Sequence, residues 1–227
     1  MSAEAHRGAF YGRRQGKRLR PKQAAGLSGT LPALQIDCSG PVRPEALFSK
    51  AKTGFWLEIG FGGGEHLINN ARLHPDIGHL GCEPFINGMA KLVLLIENEG
   101  IDAIRLHNDD AVQLLDQLPD ASLDRIYLLY PDPWPKRRHN KRRFVSDENL
   151  SRMARVLKPG GEFRFASDID HYVGWTLARI LRSPDFVWTA EQPDDWRLPW
   201  ENWPSTRYEA KAIREGRKSS YLIAKRR

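Results

Sequence analysis

Short apolar runs alternate with amphipathic stretches from Gly54 onward, and this alternation constrains the fold more than any other feature of the chain. The runs predicted to be buried strands are Phe55–Ile59, Ile77–Cys82, Ile101–Leu106, Arg125–Leu129 and Glu162–Ala166. The stretches predicted to be helices between them are Glu65–Leu73, Gly88–Glu99, Ala111–Leu118 and Asp147–Leu157. Such alternation is typical of βαβ units, in which helices cover both faces of a parallel sheet. A further helix, Asp170–Leu181, and two strands, Phe186–Thr189 and Ser220–Ala224, complete a predicted α/β fold with a seven-stranded, mostly parallel sheet.

Positive charge is concentrated in two blocks. Residues 1–22 hold seven Lys or Arg and one acid, and Lys136–Arg143 holds six cations, whereas the formal net charge of the whole chain is +7. Blocks of this kind are typical of proteins that contact a polyanion such as RNA. We expect residues 1–50 to be a basic, largely disordered arm and linker, and residues 51–227 to form the globular domain.

Composition excludes several classes of protein. The chain has no run of eighteen apolar residues and no apolar segment near its start, which argues against a membrane span and a secretory signal. Its two cysteines, Cys38 and Cys82, are far apart and lack metal-ligand spacing. The sequence therefore predicts a cytoplasmic protein without a metal site.

A glycine-rich loop follows the first strand and indicates a nucleotide-like cofactor. The sequence from Glu58 to Gly64 reads Glu-x-Gly-x-Gly-x-Gly, with Gly60 and Gly62 at the turn. The dinucleotide fingerprint would require a glycine where Glu65 stands, and a carboxylate there would repel a pyrophosphate. A nicotinamide-dependent oxidoreductase is therefore the weakest alternative, whereas S-adenosylmethionine, with a cationic amino-acid end and no phosphate, fits the pattern.

Acidic residues follow the next strands at the same predicted sheet edge. Glu83 comes 23 positions after Gly60, where an acid commonly binds a ribose hydroxyl. Asp109 and Asp110 follow the third strand, and Asp110 also suits the N-cap of the next helix. Asp132 follows the fourth strand between Pro131 and Pro133, which restrict the backbone around it. The sequence therefore predicts a pocket lined by carboxylates at this edge.

These motifs together resemble those of the bacterial tRNA (guanine-N7-)-methyltransferases. The segments that carry the resemblance are Glu58–Gly62, Pro131–Trp134, Lys136, Arg138–Arg143, Leu157–Gly161, Ala166–Asp168 and Thr206–Glu209. They occur in order from about Phe55 to the C-terminus. The Pro-Asp-Pro-Trp block with its cations is highly specific, whereas the glycine loop alone would indicate only the Rossmann-like class I methyltransferase fold.

The resemblance implies transfer of a methyl group from S-adenosylmethionine to N7 of the variable-loop guanine, nucleotide 46, of tRNA. Cofactor-binding residues would be Glu58, Gly60, Gly62, Glu83, Asp110 and Asp132, with Asp132 also catalytic. Contacts to the substrate would come from Lys136, Arg138, His139, Asn140, Lys141, Arg142, Arg143, Asp168, Thr206, Arg207, Tyr208 and Glu209. Asp132, Asp168 and Glu209 are three candidates for holding the guanine N1–H and amino group. The expected partner is tRNA, without a membrane or an obligate protein subunit, and the chain would act as a monomer or homodimer.

The chain departs from the family pattern at two positions. Thr206–Glu209 reads Thr-Arg-Tyr-Glu where the family has Thr-Lys-Phe-Glu, and Pro135 stands where relatives often have histidine. Two alternatives stay open: a class I methyltransferase for another RNA, such as ribosomal RNA, and a non-catalytic RNA-binding module on the same fold. Trp196, Trp200 and Trp203 are interpreted as a cover over the sheet edge, and Lys158–Gly161 as a turn before the fifth strand.

Overall fold

One seven-stranded sheet runs through the protein. The computed structural model describes residues 11–227. The strands are β1 Gly54–Ile59, β2 Ile77–Cys82, β3 Ile104–His107, β4 Leu123–Leu129, β5 Leu157–Ser167, β6 Phe186–Trp188 and β7 Ser220–Arg226. Their order is β3-β2-β1-β4-β5-β7-β6; β1 to β5 are parallel to one another, and β7 is antiparallel to both β5 and β6. The predicted α/β fold with a mostly parallel sheet is confirmed.

Helices cover both faces of this sheet. They are α1 Pro21–Gly29, α2 Leu31–Leu34, α3 Glu65–Leu73, α4 Ile86–Glu99, α5 Ala111–Gln117, α6 Asp147–Val156, α7 Asp170–Arg182, α8 Asp194–Arg197 and α9 Arg207–Arg214, with 3-10 helices at Pro44–Leu47 and Arg137–Arg142. One apolar core contains α5, α6 and α7 residues such as Leu114, Met153 and Ile180. A second contains Leu67 of α3 and Leu92 of α4. Burial of these two apolar faces is what the alternating pattern in the sequence encodes.

The boundaries of two predicted elements match the structure, and one predicted turn is wrong. The strand Ile77–Cys82 and the helix Glu65–Leu73 have the expected ends. The segment Lys158–Gly161, expected to be a turn, instead belongs to β5, which begins at Leu157. Leu157 pairs with Leu123 of β4 and the next pair is Arg125 with Glu162, so residues 158–161 have no partner in β4 and form an irregularity within β5. The left-handed φ angle of 76° at Gly160 lets the backbone bend at this point.

The segment before β1 packs on the domain rather than forming the expected disordered arm. Helix α1 contacts α4, and a Cβ added at Gly26 would lie 3.3 Å from the Leu94 side chain. The N–H of Ile36 donates to the Leu106 carbonyl at 2.8 Å, so the chain after α2 pairs with β3. Apolar side chains of this segment join the two cores: Leu31 and Leu34 pack with α3 and α4, and Ile36, Val42 and Phe48 belong to the other core. Residues 1–10 of the predicted arm lie outside the described residues.

Four connections lie together at the carboxyl edge of the parallel strands. They follow β1, β2, β3 and β4. These connections lie close together because the C-terminal ends of parallel strands are at the same edge of the sheet. This edge is where open α/β sheets bind ligands. Within residues 11–227, no helix is long and apolar enough to cross a membrane.

The closest approach of backbone at this edge joins the glycine loop to α4, and it yields a test of the fold. A Cβ added at Gly88 would lie 2.1 Å from the carbonyl oxygen of Gly62, a distance that no side chain tolerates. We expect Gly88→Ala to lower the free energy of unfolding by about 1–3 kcal/mol, because overpacking forces the two segments apart. Denaturant unfolding measures this change.

Gly174→Ala is the matched control. Gly174 lies in α7 with open space around its Cα, so alanine should raise the free energy of unfolding by about 0.5–1 kcal/mol. Equal stabilities of the two variants would contradict the close contact at Gly62.

Candidate active site

A cavity of about 790 Å³ opens at the carboxyl edge of the sheet. Its walls come from the four connections after β1 to β4, the segment before α6, Tyr208 and residues 11–13. Residues that line it include Ile59, Gly60, Gly62, Glu83, Phe85, Asp110, Leu129, Tyr130, Asp132, Trp134, Arg142 and Arg143. This size and the mixture of apolar walls with a few carboxylates are typical of a site for a cofactor-sized molecule.

The glycine loop forms one wall with its backbone. Gly60 and Gly62 adopt left-handed φ angles of 71° and 57°, which glycine allows without a steric penalty. A Cβ at Gly62 would also lie 3.1 Å from the Tyr208 ring. The loop is therefore shaped so that its main chain, rather than side chains, faces the cavity.

Glu83 is fixed as an acceptor beside that loop. Its carboxylate accepts hydrogen bonds from the N–H of Gly62 at 2.7 Å and from that of Phe85 at 2.8 Å. The side chain is buried, and burial raises the pKa of the Glu83 carboxyl despite those two donors. Each carboxylate oxygen has more than one lone pair, so Glu83 can still accept from a ligand hydroxyl.

Asp110 lines the cavity, whereas its neighbour Asp109 does not. Asp110 caps α5 by accepting from the N–H of Val112 at 3.0 Å, and burial raises the pKa of the Asp110 carboxyl. Both expectations for this residue, the N-cap and the position at the sheet edge, agree with the structure. Asp109 instead pairs with Arg14 at 2.7 Å. The two adjacent acids therefore have different roles.

Glu58 does not lie where the resemblance predicts. It is 3% exposed, is absent from the cavity lining, and pairs with Nδ1 of His66 at 2.7 Å. The ring of His66 packs against Tyr127, 4.6 Å between ring centroids. The Glu58 carboxylate joins β1 to α3 through His66, because a buried charge requires a partner, and its expected contact with the cofactor stays a prediction.

Asp132 projects from a strained loop at the cavity. Tyr130 and Trp134, two residues to either side, adopt left-handed φ angles of 48° and 44°, which are costly for aromatic residues. Within residues 11–227, Asp132 accepts no hydrogen bond and has no cation within 4.0 Å. Asp132 is exposed to solvent, and partial desolvation by the surrounding protein raises the pKa of its carboxyl. Its acceptor capacity is therefore available to a ligand.

The basic block divides into an exposed part and a buried end. Lys136, Arg138 and Lys141 are exposed around the 3-10 helix Arg137–Arg142, and His139 and Asn140 are half-buried. Arg142 is half-buried, with its guanidinium carbon 4.9 Å from the Trp134 ring centroid. Arg143 is 3% exposed. Arg143 lines the wall of the cavity rather than the exposed surface of the block, and its expected RNA contact stays a prediction.

The C-terminal block also divides. Tyr208 lines the cavity, and Arg207 lies beside the glycine loop, 3.8 Å from Glu65. Thr206 is the N-cap of α9, and Glu209 is buried where it accepts from Trp203 Nε1 at 2.7 Å and from the Tyr221 hydroxyl.

Three of the predicted substrate contacts are therefore engaged within the protein. Thr206 and Glu209 stabilise α9, and Asp168 pairs with Arg217 at 2.6 Å. None of the three lines the cavity. Each of them accepts a hydrogen bond from a neighbour within the chain, and their expected contact with the substrate stays a prediction.

The segment before α1 contributes a wall that sequence reasoning missed. Tyr11, Gly12 and Arg13 line the cavity, and the carbonyl of Arg14 accepts from the N–H of Ile86 at 3.0 Å. The N–H of Gly16 donates to Asn87 Oδ1 at 2.7 Å. An aromatic residue inside a basic arm was the only sequence signal, and it does not specify a partner.

The tryptophans pack, as expected for a cover. Trp200 and Trp203 are 4.9 Å apart between ring centroids and surround Tyr221 of β7. Trp196 packs against the core that contains α7. None of the three lines the cavity.

Comparison with known proteins places the chain among methyltransferases. A family model described as "Putative methyltransferase" matches residues 52–222. The tRNA (guanine-N(7)-)-methyltransferase of Chelativorans sp. (strain BNC1) is 57% identical over 94% of this chain and 93% of its own length. The protein of the same name from Rhizobium meliloti is 58% identical over 96% and 95%, and that from Brucella anthropi is 54% identical over the full length of both.

Solved structures share the fold at much lower identity. The 16S rRNA methyltransferase KamB has a TM-score of 0.53 and 15% identity, covering 81% of this chain and 90% of its own. A SAM-dependent O-methyltransferase from Thermotoga maritima has a TM-score of 0.51 and 15% identity, covering 92% and 66%. These similarities support the fold alone.

The position of Glu83 yields a prediction about ligand binding. We expect Glu83→Gln to weaken binding of S-adenosylhomocysteine about 10- to 100-fold, because an amide cannot replace both oxygens that accept from Gly62, Phe85 and a ligand hydroxyl. Isothermal titration calorimetry measures the affinity.

The pH dependence of binding by the unaltered protein is a second test. Because desolvation raises the pKa of Glu83 and Asp110, these carboxylates become protonated at a higher pH than ordinary carboxyls, and the affinity for S-adenosylhomocysteine should begin to fall at that higher pH.

Glu45→Gln provides the control. Glu45 is exposed in the 3-10 helix Pro44–Leu47 and should leave affinity unchanged. Wild-type affinity in Glu83→Gln would remove Glu83 from the ligand site.

Proposed function

Because the chain belongs to the family of the tRNA (guanine-N(7)-)-methyltransferases, we propose that it methylates the guanine at nucleotide 46 in the variable loop of tRNA. The chain is an S-adenosylmethionine-dependent tRNA (guanine-N7-)-methyltransferase. The observation that carries the site assignment is that Asp132, which has no partner within residues 11–227, opens into the same cavity as Glu83 and Asp110.

The residues of the cavity fit S-adenosylmethionine. The buried carboxylate of Glu83 and the half-buried one of Asp110 would accept from its hydroxyl and amino groups, and Ile59, Phe85 and Leu129 supply apolar contacts. Gly60 and Gly62 keep that wall free of side chains. When bound, the cofactor supplies a methyl group activated by a sulfonium sulfur. Glu58 supports this site only indirectly, through His66 and α3.

Asp132 is the proposed catalytic carboxylate. Guanine N7 carries an exposed lone pair, so the enzyme needs to align the base, exclude water and stabilise the positive charge that develops on the purine. Hydrogen bonds from the guanine N1–H and amino group to a carboxylate become stronger as that positive charge grows. Among the three candidates for this role we favour Asp132, since Asp168 is engaged with Arg217 and Glu209 with Trp203 and Tyr221.

The same contact provides base selectivity. Guanine presents the N1–H and the amino group as adjacent donors, whereas adenine presents an acceptor at N1. A carboxylate that remains unpaired in a partly desolvated site disfavours adenine, because the lost hydrogen bonds are not replaced.

The exposed cations form the proposed tRNA-binding patch. Lys136, Arg137, Arg138 and Lys141 follow the Asp132 loop directly, so a phosphate backbone bound there brings a neighbouring base to the cavity. Arg142 and Trp134 stack at the boundary between patch and cavity. Phosphates position the tRNA, and the cavity selects the base.

We also propose that the chain needs no obligate protein partner and acts as a monomer or homodimer. The cofactor cavity, the carboxylate and the cationic patch all come from this one chain. Because its proposed substrate is tRNA, we place the activity of the protein in the cytoplasm.

The direct test of this function is methyl transfer to tRNA transcripts. We expect label from methyl-labelled S-adenosylmethionine on a transcript with guanine at nucleotide 46, borohydride–aniline cleavage at that nucleotide, and no label when adenine replaces it. Label on neither transcript, with cofactor binding intact, would assign the enzyme to another RNA.

Replacing Asp132 tests its role in the reaction. We expect Asp132→Asn to lower kcat about 10²- to 10³-fold, because loss of one charged acceptor costs about 2–4 kcal/mol of transition-state stabilisation. The affinity for tRNA, measured by filter binding, should stay nearly unchanged. Asp102→Asn is the control, since Asp102 is exposed before β3, at the opposite edge of the sheet. A wild-type kcat in Asp132→Asn would reject the assignment.

Removing exposed cations tests the tRNA-binding patch. We expect the double variant Arg138→Ala, Lys141→Ala to weaken tRNA binding and to reduce the slope of log Kd against log[salt] by about 0.7–0.9 per lost phosphate contact. Affinity for S-adenosylhomocysteine should not change. Lys50→Ala, which removes an exposed cation before β1, is the control. An unchanged salt slope would show that this block is only a solvated surface.

A further inference from the structure

Arg143 differs from the exposed cations of the basic block because its side chain is packed within the protein, at the wall of the cavity. It is 3% exposed, whereas Lys136, Arg137, Arg138 and Lys141 are exposed. Arg143 directly follows the 3-10 helix Arg137–Arg142, and its N–H donates to the Asn140 carbonyl at 3.1 Å. The chain thus turns inward at this residue, toward α7.

The guanidinium joins the Asp132 loop to α7. Its Nε donates to the carbonyl oxygen of Pro133 at 2.8 Å, and Nη2 donates to Nδ1 of His171 at 2.9 Å. Its carbon lies 4.8 Å from the ring centroid of Tyr172 and 5.0 Å from that of Trp175. A planar cation between aromatic rings, with donors pointing in two directions, has one well-defined orientation.

The helix that holds Arg143 also holds the residues after it. Trp175 Nε1 donates to the Val145 carbonyl at 2.8 Å, and the N–H of Val145 donates to the Tyr172 hydroxyl at 3.3 Å. Tyr172 is fully buried against Phe165 of β5. The frame to which Arg143 ties the loop is therefore part of the core.

The Asp132 loop has few internal hydrogen bonds to keep its shape. Pro131, Pro133 and Pro135 lack N–H groups, and Tyr130 and Trp134 hold left-handed φ angles. Such a backbone persists only where the surroundings hold it. The hydrogen bond to the carbonyl of Pro133 acts one residue from Asp132.

The burial of Arg143 is expensive and is not offset by an acid. No carboxylate lies within 4.0 Å of it in the described part of the chain, and its Nη1 is buried without a partner. Burial lowers the pKa of Arg143 for the same reason. A residue retained only for stability would be better replaced by an apolar one.

We propose that Arg143 is a positioning residue that holds the Pro131–Pro133 loop so that the Asp132 carboxylate meets the guanine, and that it does not contact RNA. The proposal rests on the proposed function of Asp132. It predicts that Arg143 governs kcat, whereas the exposed cations govern tRNA binding.

The test compares Arg143→Met and Arg143→Lys with Arg182→Ala, an exposed arginine of α7 paired with Asp147. For each variant, kcat, the KM for tRNA at several salt concentrations, the affinity for S-adenosylhomocysteine and Tm are measured. We expect Arg143→Met to lower kcat about 100-fold, because displacement of a catalytic group by about 1 Å has an effect of that size. The KM for tRNA and its salt slope should stay within about twofold. Lysine should restore part of kcat, since an ammonium can donate to Pro133 but not also to His171.

A second readout does not depend on activity. Trypsin should cleave the free protein after Lys136 to Arg138 faster in Arg143→Met than in Arg182→Ala or the wild type, because the loop has lost its tether. If Arg143→Met fails to fold, Arg143→Lys and His171→Ala replace it as tests of the proposal. We expect His171→Ala to lower kcat about tenfold and to leave the KM for tRNA unchanged.

Three results would overturn the proposal. One is a retained kcat with a reduced salt slope, which is the signature of an RNA contact. Another is a loss of kcat that occurs only with equal losses of Tm and cofactor affinity. The third is an unchanged rate of cleavage by trypsin. A wild-type enzyme that does not methylate tRNA would instead contradict the proposed function, and the trypsin experiment would still decide whether Arg143 tethers the loop.

Discussion

The hydrogen bond from the N–H of Gly62 to Glu83 is the interaction on which the site depends. It ties the loop after β1 to the loop after β2 at 2.7 Å, and the contact between Gly62 and Gly88 holds α4 against the same loop. The two left-handed glycines turn the backbone and leave this wall of the cavity without side chains. A buried carboxylate is tolerated here because backbone donors stabilise it, and the cofactor wall is thereby fixed before any ligand binds.

Two electrostatic environments lie side by side at this edge of the sheet. At the cavity, desolvation by the surrounding protein raises the pKa of Glu83, Asp110 and Asp132, although only Glu83 is buried, Asp110 is half-buried and Asp132 is exposed. Outside it, the 3-10 helix Arg137–Arg142 presents cations to solvent. Long-range attraction brings the polyanion to the cations, and short-range hydrogen bonding in the cavity selects the base. The Asp132 loop connects the two, and Arg143 fixes their relative position by binding Pro133.

The hydrophobic periodicity predicted the strands and helices well. A sheet that is covered on both faces requires apolar runs at its strands and amphipathic stretches at its helices, and both are visible in the sequence. Residue type predicted the site less completely. The sequence shows only the local neighbours of a charged residue, whereas the group that it binds in the folded protein can be distant in sequence. Glu58 pairs with His66, and Arg143 donates to the Pro133 carbonyl. Tyr11 lines a cavity whose other walls are distant from it in sequence. Asp132 was predictable because the prolines beside it fix its position locally.

The most direct test of the account is methyl transfer to tRNA that carries 7-deazaguanine at nucleotide 46. This base keeps the N1–H and amino group that Asp132 is proposed to bind, but a carbon replaces N7. The account predicts tRNA affinity within about twofold of the guanine transcript and no methyl transfer. Methylation of the 7-deazaguanine transcript at the rate of the guanine transcript would contradict the claim that the cavity aligns N7 of this base with the methyl donor.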